Sequence, residues 1–187
     1  MDELGYDEHI NLWRAPDDGN QIFGRSNASE VVRLGTLRNS LEALNPGAPA
    51  EVINAAVAEL TQNRFHLTAF EANRASTRLL REGFDVPVRN EQGEIVNFRI
   101  RFVDFDDPAN NHFCVVQQLT IRGKGTRRPD LLIYVNGLPL VFIELKNATE
   151  ATRQAYDKNL TDYRRDIAQL FDYGRKFCPQ SKRKPWS

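Results

Sequence analysis

The run Arg128-Pro-Asp-Leu-Leu-Ile-Tyr-Val-Asn-Gly-Leu-Pro-Leu-Val-Phe-Ile-Glu-Leu-Lys-Asn147 decides how the chain folds. Leu131 to Val135 and Leu140 to Ile143 consist of branched and aromatic apolar residues, which predicts a hairpin buried on both faces in the middle of a sheet. Asn136-Gly137-Leu138-Pro139 supplies the turn. Charge stands only where the apolar strands meet polar sequence: Asp130 before the first, Glu144 and Lys146 after the second. Side chains two apart in a strand share a face, so Glu144 and Lys146 point the same way. Asp130 joins that face only if it stands directly opposite Glu144, which requires an odd-length loop such as Asn136-Gly137-Leu138, or a bulge. A plain two-residue turn sets Asp130 opposite Ile143 and on the wrong face. Two acids and a lysine at one end of a buried hairpin have the geometry of a metal site.

The pattern Pro129-Asp130, thirteen residues, Glu144-x-Lys146 resembles the PD-(D/E)xK nuclease signature, and the residues around it are more specific than the signature. The stretch from 128 to 147 resembles the nuclease core of the restriction (R) subunit of type I restriction-modification enzymes. The likeness extends upstream through Phe102-Val-Asp-Phe-Asp-Asp-Pro-Ala-Asn-Asn-His-Phe-Cys-Val-Val-Gln-Gln-Leu-Thr120, and downstream through Ala155-Tyr156 and the segment from Tyr163 to Phe171. It covers most of residues 30 to 172. The resemblance implies an α/β, restriction-endonuclease-like core with a mixed central sheet of four to five strands flanked by helices. It also implies an endonuclease domain that cuts double-stranded DNA without its own sequence recognition, in a bacterial or archaeal cytoplasm, beside modification and specificity subunits. A catalytically silent module that docks on DNA or on restriction partners is the alternative. The 187 residues contain no Gly-x-x-x-x-Gly-Lys phosphate loop, so ATP is expected only with the full-length subunit.

Composition sets outer bounds. With 187 residues and 41% hydrophobic content the chain is long enough for one core and short for two. Twenty-five basic and twenty-five acidic residues cancel, so DNA contact must come from local clustering. Two cysteines, Cys114 and Cys178, make neither a disulfide framework nor a zinc set, no apolar run reaches a membrane span, and the acidic start lacks a signal-peptide core.

Outward from the hairpin, residues 1–29 read as an irregular or weakly stranded segment broken by Pro16, Gly19 and Gly24, residues 30–173 as the nuclease domain, and 174–187 as a basic tail expected to be disordered. A helix from Glu30 to Leu44, capped by Ser29 or Asn27, carries an apolar stripe from Val31 to Leu44. Further helices are expected over Ala50 to Asn63 and Leu67 to Glu82, the last stopped by Gly83. The period then becomes two, predicting strands over Phe84 to Arg89, Glu94 to Phe105 and Phe113 to Ile121. A closing helix over Thr149 to Phe171 carries Tyr156, Leu160, Tyr163, Ile167 and Leu170 on one face.

For hydrolysis of a phosphodiester, two carboxylates and a backbone carbonyl form a hard-oxygen set suited to Mg²⁺, with Mn²⁺ as a substitute. Asp130 and Glu144 are the expected ligands, with the Leu145 carbonyl third and Lys146 acting on the water or the scissile phosphate. Arg122, Lys124, Arg127 and Arg128, interleaved with glycines, read as a phosphate clamp beside the acids. Related nucleases carry Gln-x-x-x-Tyr on the helix after the catalytic strand, and here the motif is Asn159-Leu-Thr-Asp-Tyr163, with both ends candidates for DNA contact and Tyr163 equally suited to core packing. The family also opens with a glutamate-bearing helix ahead of Leu-Gly-Tyr, a triplet that stands here at Leu4 to Tyr6. Asp104, Asp106 and Asp107 read as turn formers, and Glu71 as a solvated helix residue.

Overall fold

The computed structural model describes residues 5–62, 67–89, 92–147, 153–173 and 176–182; for 69–70, 146–147, 153–159 and 176–182 only the backbone enters the description. Strand β1 (Glu8–Asn11), a short helix α1 (Asn20–Phe23), α2 (Leu34–Leu44), α3 (Ala50–Thr61) and α4 (Ala69–Glu82) come first. A hairpin of β2 (Phe84–Arg89) and β3 (Ile95–Ile100) follows, then β4 (Phe113–Gln117), the two-residue strands β5 (Ile121–Arg122) and β6 (Thr126–Arg127), and β7 (Leu131–Val135). Strand β8 (Leu138–Asn147), helix α5 (Arg153–Asp166) and β9 (Lys176–Lys182) complete the order.

The main sheet runs β1-β4-β7-β8-β9, with β4, β7 and β8 antiparallel and both outer strands parallel to their neighbours. It is the mixed sheet expected from the sequence, with two differences at its edges. Residues 8–11, inside the segment read as irregular or weakly stranded, form β1, because Ile10 buries its side chain while the backbone pairs with β4. Residues 176–182, inside the tail expected to be disordered, form β9 along β8. The β2–β3 hairpin is a separate two-stranded sheet, and the strand expected to reach Phe105 ends at Ile100. Beyond it, the buried Asp104 carboxylate accepts hydrogen bonds from the Asp106 and Asp107 amides, each at 3.1 Å, and folds the acidic run into a turn.

Helix α2 begins four residues later than the Glu30 start expected from the sequence. Asn27, Ser29 and Glu30 satisfy one another instead: Asn27 Oδ1 accepts from the Ser29 amide at 2.9 Å, and Asn27 Nδ2 donates to Glu30 at 2.7 Å. Such local bonding competes with a helical start. Glu71 is more than a solvated residue, since it forms a reciprocal capping box with Thr68 at the start of α4.

In the central hairpin, Asn136 and Gly137 both have positive φ, 52° and 82°, as a two-residue type I′ turn requires. Only glycine fits at 137, because a Cβ there would lie 2.6 Å from the Arg33 carbonyl oxygen and 2.7 Å from the Leu37 nitrogen. Asn136 is fully buried; its amide donates to the Phe102 carbonyl and to Asn111 Oδ1, each at 2.9 Å, and its oxygen accepts from the His112 amide at 2.8 Å. One face of the hairpin is closed, with Leu132, Tyr134 and Phe142 buried, and Tyr134 meets Phe23 edge to face at 5.5 Å. The other face is less closed than expected from the sequence: Leu131, Ile133 and Val135 are only half-buried.

Candidate active site

The register of the hairpin brings the acids together. Val135 pairs with Leu138 and Tyr134 with Pro139, but after a bulge Ile133 pairs with Val141 and Leu131 with Ile143. Leu140 is the extra residue. The next pair outward is therefore Asp130 and Glu144, because 131 + 143 and 130 + 144 give the same sum. Of the two devices considered for this register, the chain uses the bulge.

Asp130 is held on three sides. Its Oδ1 accepts from Gln118 Nε2 at 2.8 Å, its Oδ2 accepts from the Leu145 amide at 2.7 Å, and its carbonyl accepts from the Gln118 amide at 3.1 Å. Gln118, just past β4, makes both of its bonds from a left-handed conformation with φ 58°. A carboxylate oxygen has two acceptor directions, so these bonds orient the group and leave one direction on each oxygen for a cation.

Glu144 Oε2 accepts from the Tyr163 hydroxyl at 3.2 Å. Tyr163 is buried on α5, its ring 4.8 Å from that of Phe142. Burial, and secondly the Glu144 carboxylate, push the Tyr163 phenol well above its ordinary range, so it stays a donor toward Glu144. Of the two roles open to Tyr163 from sequence, this placement is the interior one.

Three arginines of the basic loop are engaged within the fold. Arg127 reaches Asp166 of α5 at 2.6 and 2.8 Å and Asp162 at 3.8 Å, with its guanidinium 5.5 Å from the Tyr163 ring centre. Arg165 first, and Arg127 second, hold the Asp166 carboxyl down at about 2. Arg122 pairs with Asp18 at 2.7 Å, and Arg128 lies over the Trp13 ring at 5.1 Å. Lys124 is exposed. The loop thus fastens α5 and the β1 connection around the acids, a role its charge alone did not suggest. Lys146 lies in the β8 backbone two residues after Glu144, but its side chain, like that of Asn159, lies outside the described parts.

Among the described residues no group of three or more His, Cys, Asp or Glu forms a metal cluster. The donor set at this position is two carboxylates and backbone oxygen. It fits a hard cation such as Mg²⁺, which keeps several waters and needs few protein ligands. Sequence reading missed Gln118, for which the only hint was polar residues closing an apolar strand, and Asp166, which meets Arg127 only in the fold.

A mixed sheet whose central antiparallel hairpin ends in facing carboxylates, flanked by helices, is a restriction-endonuclease-like architecture. Residues 1–182 match the family described as type I restriction enzyme R protein N terminus, and the chain belongs to that family. It is 36% identical over 158 residues to the type I restriction enzyme HindI endonuclease subunit of Haemophilus influenzae, which covers 82% of this chain and 15% of the relative. The type I restriction enzyme SauCOLORF180P endonuclease subunit of Staphylococcus aureus is 29% identical over 102 residues, 54% of this chain and 10% of the relative. The chain thus spans a small share of the length of these relatives. No helix among the described residues is long and apolar enough to cross a membrane.

Proposed function

We propose that this chain is the Mg²⁺-dependent endonuclease module of a type I restriction R subunit, hydrolysing phosphodiester bonds of double-stranded DNA. Sequence recognition would come from specificity and modification subunits of a cytoplasmic complex, and translocation from an ATP-driven part of the full subunit. The observation that carries this reading is the bulged register that sets Asp130 opposite Glu144.

Asp130 and Glu144, with the Leu145 carbonyl, would hold the cation, which when bound supplies positive charge to a phosphate oxygen and lowers the pKa of a bound water. Gln118 and the Leu145 amide keep Asp130 in one rotamer, and the Tyr163 hydroxyl does the same for Glu144. That removes the cost of ordering the ligands from the binding step. Lys146, by its place in the strand, is the group for the attacking water or the phosphate. In the hydrolysis the water oxygen bonds to phosphorus, one ester P–O bond breaks, and the departing oxygen takes up a proton. The test is calorimetric titration with Mn²⁺ of the native chain and of Asp130→Ala. The native chain should bind one ion in a step that the variant lacks, and equal binding by both would reject the site.

A further inference from the structure

Trp13 is not part of the carboxylate site, yet the fold delivers it to the same end of the sheet. Strand β1 runs parallel to β4, and the Leu12 amide extends that pairing to the Gln117 carbonyl at 3.0 Å, one residue before the glutamine that holds Asp130. The chain then turns sharply. Asn11 Oδ1 accepts from the Trp13 amide at 2.9 Å, the Ala15 amide closes back on the Leu12 carbonyl at 3.1 Å, and Arg14 is left-handed with φ 63°. A non-glycine residue in that region is disfavoured, so the turn is held by its surroundings.

The turn places a large apolar side chain in water. Trp13 is 54% exposed even though the Arg128 guanidinium lies 5.1 Å from its ring centre. An indole in the core would bury its surface, and one serving only as a lid for Arg128 has no need of a strained turn beneath it. An exposed aromatic ring beside a planar cation is the arrangement on which an unpaired nucleobase stacks while its phosphate meets the guanidinium. The position suits the substrate as well. Arg128 is two residues before Asp130, so their Cα atoms are at most about 7 Å apart, roughly two nucleotide steps along a stacked strand.

We propose that Trp13 and Arg128 form a stacking platform for one unpaired nucleotide of the DNA strand next to the bond cut at Asp130 and Glu144. This rests on the nuclease reading above and adds to it a preference for locally opened DNA. The interior of a duplex presents no free base face to the ring, whereas every unpaired nucleotide of a single-stranded flank does.

Trp13 and Trp186 are the two tryptophans of the chain, so Trp186→Phe leaves Trp13 as the sole indole, excited selectively over the tyrosines at the red edge of the absorption band. The full chain carrying that change is titrated, in EDTA to prevent cutting, with a blunt duplex and with the same duplex bearing a single-stranded flank. Stacking predicts saturable quenching of the indole by the flanked duplex. Trp13→Ala should weaken binding of that DNA by about 5- to 150-fold, the range measured for removing a base-stacking aromatic. Trp13→Phe should keep most of the affinity, which separates stacking from damage to the turn. Unmoved emission, or equal losses on flanked and blunt DNA, would overturn the platform. The Mn²⁺ titration reads the nuclease site independently: Trp13→Ala should bind the ion like the native chain, and a native chain that binds none sinks the nuclease reading whatever the fluorescence does.

Discussion

Gln118 offers the sharpest separation of function from stability, because two opposing effects meet in one residue. Its side chain donates to the Asp130 carboxylate at 2.8 Å, and its backbone is left-handed with φ 58°. Gln118→Ala removes the hydrogen bond and keeps the strain. With Asp130 half-buried, the low end of the range for a bond to a charged group applies, a loss of about 1.5 kcal/mol. Gln118→Gly removes the same bond but recovers roughly 1–2 kcal/mol of left-handed strain, less about 0.5–1 kcal/mol for the added freedom of the unfolded chain. The glycine variant should therefore be the more stable of the two by about 0.5–1 kcal/mol, or roughly 1–4 °C in Tm for a domain of this size. Metal affinity should not follow stability. Both variants leave the Asp130 carboxylate held by the Leu145 amide alone, and loss of a group that orients a ligand typically costs about 10- to 100-fold in affinity. Thermal melting beside Mn²⁺ calorimetry reads both quantities. Native affinity in either variant would refute the positioning role, and a glycine variant melting below the alanine one would refute the strain.

Tyr163→Phe keeps the ring against Phe142 and removes only the hydroxyl that reaches Glu144, so melting should move by about 1 kcal/mol or less while Mn²⁺ binding weakens; unchanged calorimetry would make Tyr163 a core residue only. Lys146→Ala in a reassembled restriction complex should abolish cleavage while DNA binding and ATP hydrolysis persist, whereas normal cutting with early melting would mark the acids and the lysine as a structural triad. The Asp166 carboxyl is held at about 2, below its ordinary 3.8, so its contribution is present above pH 4 and is lost as pH falls toward 2. Arg127→Ala removes one of the two arginines responsible, and should make the acid-side decline in Tm over that window shallower. An identical decline in both proteins would show that Arg165 alone sets the shift.

The central hairpin was legible because its signal is compositional: apolar strands, an Asn-Gly turn, and charges only at the open end. Parity of the residue numbers then restricted the connection to an odd loop or a bulge, and the bulge is what forms. What escaped reading lacks such a signal. Strand β1 buries a single side chain, Ile10, so no alternation betrays it, and β9 carries Pro179 within a polar run. The hold of Gln118 on Asp130 depends on a backbone angle that no pattern encodes. The contact of Arg127 with Asp166 was not legible either, because the two residues are 39 apart in sequence and no local pattern joins them.

The bulge at Leu140 reconciles two demands that a regular hairpin cannot meet together. At the closed end, Asn136 is buried under three hydrogen bonds and Gly137 is pressed against the start of α2, so the turn must be tight and must have two residues. Such a turn pairs Val135 with Leu138, and continued without interruption it would place Asp130 opposite Ile143, with Glu144 on the other face of the sheet. At the open end, the proposed cation site needs the two carboxylates to face one another. One extra residue shifts the register by one and satisfies both ends, at the cost of one unpaired position in the ladder. The turn answers to packing and the open end to the proposed cation site, and Leu140 is where the two meet.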